Sequence, residues 1–185
     1  MNVKIISFFL GIMIGSAFCQ ELSNTKVNGY KGIWFGLNQK YEHGDKYSGA
    51  LGTYTAKHVP MAIYSPLVDK TFFVYGGKTS ETQRYLLCMI GEFNHKTGMV
   101  SKPTIVYDKK GVDDPHDNPS TLIDNNGYIW IFISGRGTKR TGFKYKSKEP
   151  FSISEFTQIS EEEFTYPQPH NTAAGFFHFF TKYTG

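Results

Sequence analysis

The stretch DDPHDNPSTLIDNNGYIWIFISGR, residues 113–136, decides the fold class. It begins with a dense polar group, continues as two apolar runs around the turn 124–127, and ends at an arginine followed by glycine. Asn and Gly tolerate positive φ, so the two runs are predicted to fold back on each other as a β-hairpin. The second run, 128–134, is β-branched and aromatic, which is typical of a strand buried on both faces.

Strands of this kind recur along the chain. Runs at 58–64, 71–75, 84–93 and 104–107 predict one set of four strands, and runs at 119–123, 128–134, 142–146 and 156–159 predict a second. A third set starts near Tyr166 and includes a strand at 176–181. The strands around Phe72, Trp130 and Phe177 therefore recur about every 50 residues, the period of a four-stranded β-propeller blade.

The composition agrees with an all-β fold. Aromatic residues make up 16% of the 185 residues, with 12 Tyr and 16 Phe, and there are 19 Gly. Aromatic side chains favour strands and glycine favours turns. We predict a partial β-propeller of two four-stranded blades plus part of a third, the N-terminal portion of a longer propeller, because two blades and a fragment cannot close a ring. A small two-sheet sandwich is the alternative.

The N-terminus has the pattern of a secretory signal peptide. Lys4 precedes an apolar segment at 5–17, and the residues at 17–19 fit a small-x-small cleavage site. We predict a signal peptide at 1–19, a mature domain at 20–185, and a secreted or periplasmic protein without a transmembrane span after cleavage. Lipid anchoring at Cys19 is the alternative.

Charge and cysteine content exclude several classes of protein. The net charge is +4, and removal of residues 1–19 leaves 19 basic and 16 acidic side chains. The lysines are scattered rather than clustered in a stripe, so we predict no nucleic-acid partner. The mildly basic charge is compatible with an acidic polysaccharide but does not require one. Cys88 is then the lone cysteine, predicted to be a buried free thiol, and there is no zinc-binding cysteine pattern.

The polar group before the hairpin holds the first candidate site residues. His116 could act as a base or hydrogen-bond within a turn, and Asp117 and Asn118 follow it. The acids of this group, including Asp113 and Asp114, could bind Ca²⁺ or be solvated. No other cofactor is predicted.

Several segments resemble a known family. They are GYKGIWF, KYSGALGTYTAKH, DKTFFVYGG, DDPHDNPS, DNNGYIWIFISGRG and TYPQP. Together they resemble the BNR-4-type repeat family of secreted bacterial proteins, which is sialidase-like in fold and related to ulvan-type polysaccharide lyases. The resemblance covers nearly everything after residue 28 and implies a truncated seven-bladed BNR-repeat propeller. The sialidase Asp-box is absent; Asp124-x-x-Gly127-x-x-Trp130 is only loosely similar to it.

The lyase relatives imply four site positions. In those lyases the positions are occupied by two histidines, a tyrosine and an arginine. By position, His116 matches the first histidine and Tyr166 matches the tyrosine. Arg136 stands near the place of the second histidine, and Lys182 near that of the arginine. The sequence therefore departs from the family pattern at two of the four positions.

The resemblance implies a carbohydrate-active protein that cleaves an anionic polysaccharide by β-elimination. His116 would be the base and Tyr166 the acid or a combined acid/base, while Arg136 and Lys182 would hold the carboxylate. Three further residues are predicted to bind substrate: His58, Asp117 and Asn118. The alternatives are a non-catalytic glycan-binding module and a sialidase-like glycoside hydrolase. An arginine triad is not expected, since the chain has only three arginines and two are near neighbours.

Overall fold

The computed structural model describes residues 40–41, 44–45, 57–77, 86–112 and 114–183. These residues form thirteen strands and one short 3-10 turn, without an α-helix. The strands are β1 (Lys40–Tyr41), β2 (Gly44–Asp45), β3 (Ala62–Ser65), β4 (Lys70–Gly77), β5 (Leu87–Asn94), β6 (Met99–Val100), β7 (Thr104–Asp108), β8 (Pro119–Ile123), β9 (Ile129–Ile133), β10 (Gly142–Ser147), β11 (Phe156–Glu162), β12 (Thr165–Thr172) and β13 (Gly175–Thr181). The predicted signal peptide and Asp113 lie outside the described residues. The prediction of an all-β fold is confirmed.

The strands pair as consecutive antiparallel meanders. The first sheet has the order β3-β4-β5-β6, with β7 also paired to β5, and the second has the order β8-β9-β10-β11. Two-stranded sheets are formed by β12 with β13 and by β1 with β2. Among the described residues no sheet closes on itself. Each predicted set of strands is therefore one sheet, and β8 of the second sheet is the next strand along the chain after β7 of the first.

Two strand boundaries differ from the sequence-based prediction by three or more described residues. The strand predicted at 58–64 begins only at Ala62, and Pro60 just before it has no N–H to give to a ladder. The strand predicted at 156–159 continues to Glu162, because the register carries Ser160, Glu161 and Glu162 onto β10. Side chains of the acidic run therefore lie along a sheet edge rather than in a free loop.

The central hairpin strand β9 is buried on both faces, as its sequence predicts. Ile129, Ile131 and Ile133 are fully buried and pack against the first sheet, where Phe72 and Val74 meet them. The alternate side chains face the β12–β13 pair: Phe132 is fully buried and lies 5.8 Å, ring centroid to centroid, from Phe176, and Trp130 lies 5.0 Å from the same ring. The second sheet is thus the middle layer, which accounts for its continuous apolar sequence.

The β12–β13 pair is covered by other residues on only one of its faces. Phe176 and His178 pack onto the second sheet, whereas Phe177 and Phe179 on the opposite face are 55% and 59% exposed. The strand predicted at 176–181 is confirmed as β13, but its outward face is not buried by any residue that the structure describes.

The spacing Asp124-x-x-Gly127-x-x-Trp130 explains the turn between β8 and β9. One carboxylate oxygen of Asp124 accepts the backbone N–H groups of Asn126 and Tyr128, both at 3.0 Å. The other accepts the indole Nε1–H of Trp130 at 2.9 Å. Gly127 has φ +83°, which a glycine adopts readily. A single carboxylate thus fixes the hairpin at the end remote from His116.

Replacing Gly135 by alanine should destabilise the fold. A Cβ at this position would lie 2.2 Å from the carbonyl oxygen of Arg140 and 2.7 Å from the nitrogen of Gly142, which are backbone atoms that cannot simply rotate away. We expect a loss of about 3 kcal/mol in the free energy of unfolding, measured by chemical denaturation. Gly98→Ala is the control, because that Cβ meets nothing within 4 Å and only φ +67° opposes it, at a cost of about 1 kcal/mol. Equal losses in the two variants would contradict the close contact.

Candidate functional site

Three aromatic side chains from three sheets meet at one end of the molecule. His58 precedes β3, His116 lies in the 3-10 turn Pro115–Asp117 before β8, and Tyr166 is the second residue of β12. The ring centroid of Tyr166 is 5.6 Å from that of His116 and 6.0 Å from that of His58. Each ring lies shortly before the first strand of its sheet or at its start, so the sheet topology itself brings the three together.

Asp114 fixes the orientation of His116. One oxygen of its carboxylate accepts the His116 backbone N–H at 3.0 Å and lies 2.6 Å from His116 Nδ1. Burial alone would raise the pKa of Asp114, but hydrogen bonds from His116 and Arg140 outweigh it and hold that pKa well below its usual range. An ionised carboxylate only accepts hydrogen bonds, so Nδ1 carries a proton. Nε2 is then the ring nitrogen on which a proton can be taken up.

A buried ionic network lies behind the histidine. Asp117 is fully buried, and its carboxylate pairs with Arg140 Nη2 at 2.7 Å and with Lys109 Nζ at 3.0 Å. Arg140 Nη2 also reaches Asp114 at 2.6 Å, and its hydrogen bonds to Asp117 raise its pKa further. Lys109 Nζ donates to the carbonyl oxygen of Ser134 at 3.1 Å. The network joins the first sheet, the 3-10 turn and the loop after β9 into one rigid support.

Arg136 lies beside this network but is less tightly held. Its Nε is 4.0 Å from Asp114, its Nη1 donates to the Tyr183 hydroxyl at 3.2 Å, and 35% of its side chain is exposed. Burial would lower its pKa, but the neighbouring Tyr166 and Tyr183 and the Asp114 carboxylate outweigh that effect and raise it. A planar cation with exposed edges at this position is suited to an incoming carboxylate.

Tyr166 has an unusual backbone conformation. Its φ is +59°, in the left-handed region that costs a non-glycine residue roughly 1 kcal/mol or more. Its N–H donates to the Ser134 hydroxyl at 3.2 Å, which ties this strained position to the end of β9. The ring is half-buried. Strain held in place by surrounding contacts is a frequent property of functional positions.

The structure brings together six of the seven predicted site residues. They are His58, His116, Asp117, Asn118, Arg136 and Tyr166. Lys182 is instead exposed after β13 and makes no ion pair with any residue that the structure describes. Its predicted part in binding a carboxylate stays a prediction, and Tyr183 is the neighbour that reaches Arg136.

The six residues differ in burial: His116 is buried at 6% exposure, and Arg136 and Tyr166 are half-buried. His58 and Asp117 are completely buried and Asn118 is 1% exposed, so these three lie beneath the surface of the site. Desolvation lowers the pKa of His58 to about 3, with a further contribution from His116, so its imidazole is neutral. We therefore expect Asp117 to support the site rather than bind a ligand directly, since its oxygens already face Arg140 and Lys109.

A calcium site is disfavoured by the same contacts. Asp114 and Asp117 face cations, and among the described ranges no group of three or more His, Cys, Asp or Glu side chains could hold a metal ion. Carboxylates that already neutralise an arginine are poor ligands for a hard cation. Asp113, the remaining acid of the predicted group, lies outside the described residues.

Lys109 and Arg140 were missed by sequence reasoning. Lys109 belongs to the sequence DKKGV, which has the composition of a solvated turn, and Arg140 follows another lysine in a loop. Their partner Asp117 is 8 and 23 residues away in sequence, and only the packing of the two sheets brings the three groups together. No spacing rule links them.

Two further predictions concern the rest of the molecule. Cys88 is a fully buried free thiol, as predicted, and burial raises its pKa to about 12. Within the described part of the chain, no helix has the length and apolar character needed to cross a membrane.

Stability should fall in mild acid because of His178, a half-buried histidine whose ring nitrogens are buried. The ring nitrogens of His178 are buried without a hydrogen-bond partner among the described residues, and its ring lies 4.6 Å from that of Phe132. Desolvation first, then Lys144, lowers its pKa to about 4, although Glu162 opposes them. Below pH 6.5 the unfolded chain therefore binds a proton that the folded chain does not, so stability is lost as the pH falls from 6.5 towards 4.

The melting temperature measured between pH 7 and pH 4 tests this expectation. His178→Phe keeps an aromatic ring in the same surroundings and removes the titration, so its melting temperature should depend less steeply on pH than that of the unchanged protein. His58 keeps some slope in both proteins, because its pKa is lowered too. Identical slopes in the two proteins would show that His178 is not neutral in the fold.

Comparison with known proteins gives a similarity to a solved structure. No family model matches the chain and no curated protein matches it, so membership of the BNR-4-type repeat family stays a prediction. A solved structure described as a new family of polysaccharide lyase, PL25 ulvan lyase, is similar with a TM-score of 0.56 and 25% sequence identity. The similarity covers 66% of this chain and 31% of that chain, so this chain spans about a third of the length of the lyase. It supports the predicted relation to ulvan lyases.

Proposed function

We propose that this protein acts on a uronate-containing, anionic polysaccharide and cleaves it by β-elimination. The single observation that carries the proposal is the pairing of Tyr166 with His116, whose ring centroids are 5.6 Å apart beside the Arg136 guanidinium. A base, a proton donor and a cation are the groups that this reaction needs. The similarity to an ulvan lyase supports the same reaction class.

The reaction begins with removal of the proton at C5 of the uronate. Arg136 faces the carboxylate of the sugar and offsets the negative charge that builds up on it as the proton leaves. His116 Nε2 accepts the proton, and Asp114 stabilises the imidazolium that forms because its carboxylate is already hydrogen-bonded to Nδ1. Asp114 is thus a positioning residue for His116.

The electron pair released from the C5–H bond then forms the C4=C5 double bond. The C4–O4 bond breaks, and the Tyr166 hydroxyl donates its proton to the departing oxygen. The phenolate regains a proton from solvent, and His116 releases the one that it took up, which restores the starting state. In a variant of this mechanism Tyr166 both accepts the C5 proton and protonates the leaving oxygen.

The chemistry of the acids argues against a hydrolase that uses a pair of carboxyl groups here. Such an enzyme needs one protonated carboxylic acid at working pH. Asp114 is held ionised by His116 and Arg140, and Asp117 faces two cations. A non-catalytic glycan-binding module is the second candidate, and the exposed edge of Arg136 favours it as much as it favours the lyase.

The proposal extends to the architecture and location of the protein. The two meanders of at least four strands and the β12–β13 pair would be two blades and part of a third in a BNR-repeat β-propeller, with the first strands β3, β8 and β12 nearest its axis. Convergence of His58, His116 and Tyr166 at the starts of these strands supports that arrangement. Residues 1–19 would direct the chain out of the cytoplasm.

Digestion of ulvan tests the proposal against its alternatives. A lyase raises the ultraviolet absorbance of the solution as unsaturated uronate forms, together with new reducing ends. A hydrolase forms reducing ends without that absorbance. A binding module migrates more slowly in gels that contain ulvan, and it forms neither reducing ends nor unsaturated uronate. Reducing ends without absorbance, or binding without either product, would overturn the proposal that the protein is a lyase.

A further inference from the structure

A small cavity opens next to the three-ring cluster. Its volume is about 250 Å³, and it is lined by Arg136, Gly137, Thr138, Lys139 and Tyr183. This is enough room for an oxyanion and part of one sugar ring. The sequence did not predict three of these as site residues: Thr138, Lys139 and Tyr183.

The loop that forms the cavity is held in shape by its own hydrogen bonds. The N–H of Arg136 donates to the carbonyl of Arg140 at 2.8 Å, and the N–H of Lys139 donates to the carbonyl of Arg136 at 3.1 Å. Gly137 has φ +55° and donates its N–H to the Thr165 hydroxyl at 2.9 Å. The two cationic residues therefore project from a closed turn whose backbone is already ordered, which reduces the entropy lost on binding.

The charge of the lining is entirely positive. Two of the five lining residues are cations and none is an acid, while the Tyr183 hydroxyl accepts from Arg136 Nη1 at 3.2 Å and its ring lies 5.9 Å from the guanidinium carbon. Arg136 also has Asp114 as a neighbour at 4.0 Å on its other side, whereas Lys139 is exposed and forms no ion pair with a described residue. Lys139 thus adds to the cavity lining a positive charge that no described acid pairs with.

We propose that this cavity is a second anion subsite, which holds an oxyanion substituent on the sugar next to the reacting uronate, and that Lys139 determines the preference for it. The inference rests on the proposed function, because Arg136 is shared between the two places: it faces the reacting carboxylate near Tyr166 and forms one wall of the cavity. The ligand that fits is a glycan with anionic groups on adjacent sugars. The second group is either a sulfate ester or another carboxylate, which present similar oxygens to a lysine.

Native ulvan and chemically desulfated ulvan serve as the two probes. Affinity is measured by electrophoresis through gels that contain one or the other polysaccharide. All variants carry Tyr166→Phe, so that the polysaccharide in the gel is not cleaved during the measurement. Lys139→Ala should weaken binding of native ulvan roughly two- to fivefold, the usual range for one exposed charge contact, and Lys139→Arg should restore most of it. Lys148→Ala is the matched control, since it removes the same charge from an exposed lysine that pairs with Glu155 away from the cavity.

Each outcome decides a separate question. A loss confined to native ulvan supports a sulfate in the cavity, and an equal loss on both polysaccharides supports a carboxylate there. Unchanged affinity of Lys139→Ala on both, or a loss no larger than that of Lys148→Ala, overturns the subsite while leaving the proposed function intact. Absence of binding to either polysaccharide before any change at Lys139 overturns the proposed function itself.

Discussion

Asp117→Asn should lower the free energy of unfolding by about 3–5 kcal/mol, which is a large part of the stability of a typical domain. The substitution keeps the shape of the side chain and removes its charge. It leaves Lys109, whose side chain is 4% exposed, without its carboxylate at 3.0 Å, and it weakens the hold on Arg140. A buried cation without a partner is far more costly than a surface one, because water cannot replace the lost carboxylate.

Chemical denaturation measures this loss, and a second ion pair supplies the control. Lys148 and Glu155 are 2.6 Å apart but 57% and 64% exposed, so Glu155→Gln should change stability far less than Asp117→Asn does. Adding Lys109→Met to Asp117→Asn should recover part of the stability by removing the unpaired charge. If Asp117→Asn costs no more than Glu155→Gln, the buried network does not support the site as described.

Tyr166→Phe should lower the rate of β-elimination roughly 10²- to 10⁴-fold while the affinity for ulvan changes little. The substitution removes only the hydroxyl that protonates the departing oxygen. The ring contacts with His116 and His58 and the left-handed backbone stay as they are, so the melting temperature should barely move. Loss of kcat without a rise in KM is the pattern of a group that acts in the transition state.

Initial rates on ulvan, followed by ultraviolet absorbance, provide the measurement. Tyr64→Phe is the matched control, because Tyr64 is 51% exposed on the first sheet and donates its hydroxyl to Asp69 instead of to a ligand. It should leave the rate unchanged. A Tyr166→Phe variant that retains the full rate would exclude Tyr166 as the proton donor and would shift that role to another group.

Much of the fold follows from the sequence because alternation and turn chemistry are local. The run at 128–134 predicts a strand buried on both faces, and the structure places β9 between the first sheet and the β12–β13 pair. Asp124 and Gly127 predict the hairpin, and their hydrogen bonds and φ show why. The late start of β3 and the long β11 were missed, since each depends on where a neighbouring strand allows pairing.

The candidate site follows from the sequence only in part. His116, Arg136 and Tyr166 stand out because each flanks a strand in a polar or glycine-containing segment. The closeness of His58 to Tyr166 could not be read locally, because 108 residues and two sheets separate them. The ion pairs of Asp117 could not be read from the sequence for the same reason. Asp117 is predicted to contact a ligand, and in the structure it is fully buried.

The proton NMR spectrum of the products formed from ulvan tests the central claim most directly. Elimination across C4 and C5 leaves a vinyl proton on C4 of a new non-reducing end, and the account predicts its signal at a level that matches the new reducing ends. Cleavage products with saturated non-reducing ends would contradict it, as would bound but uncleaved ulvan.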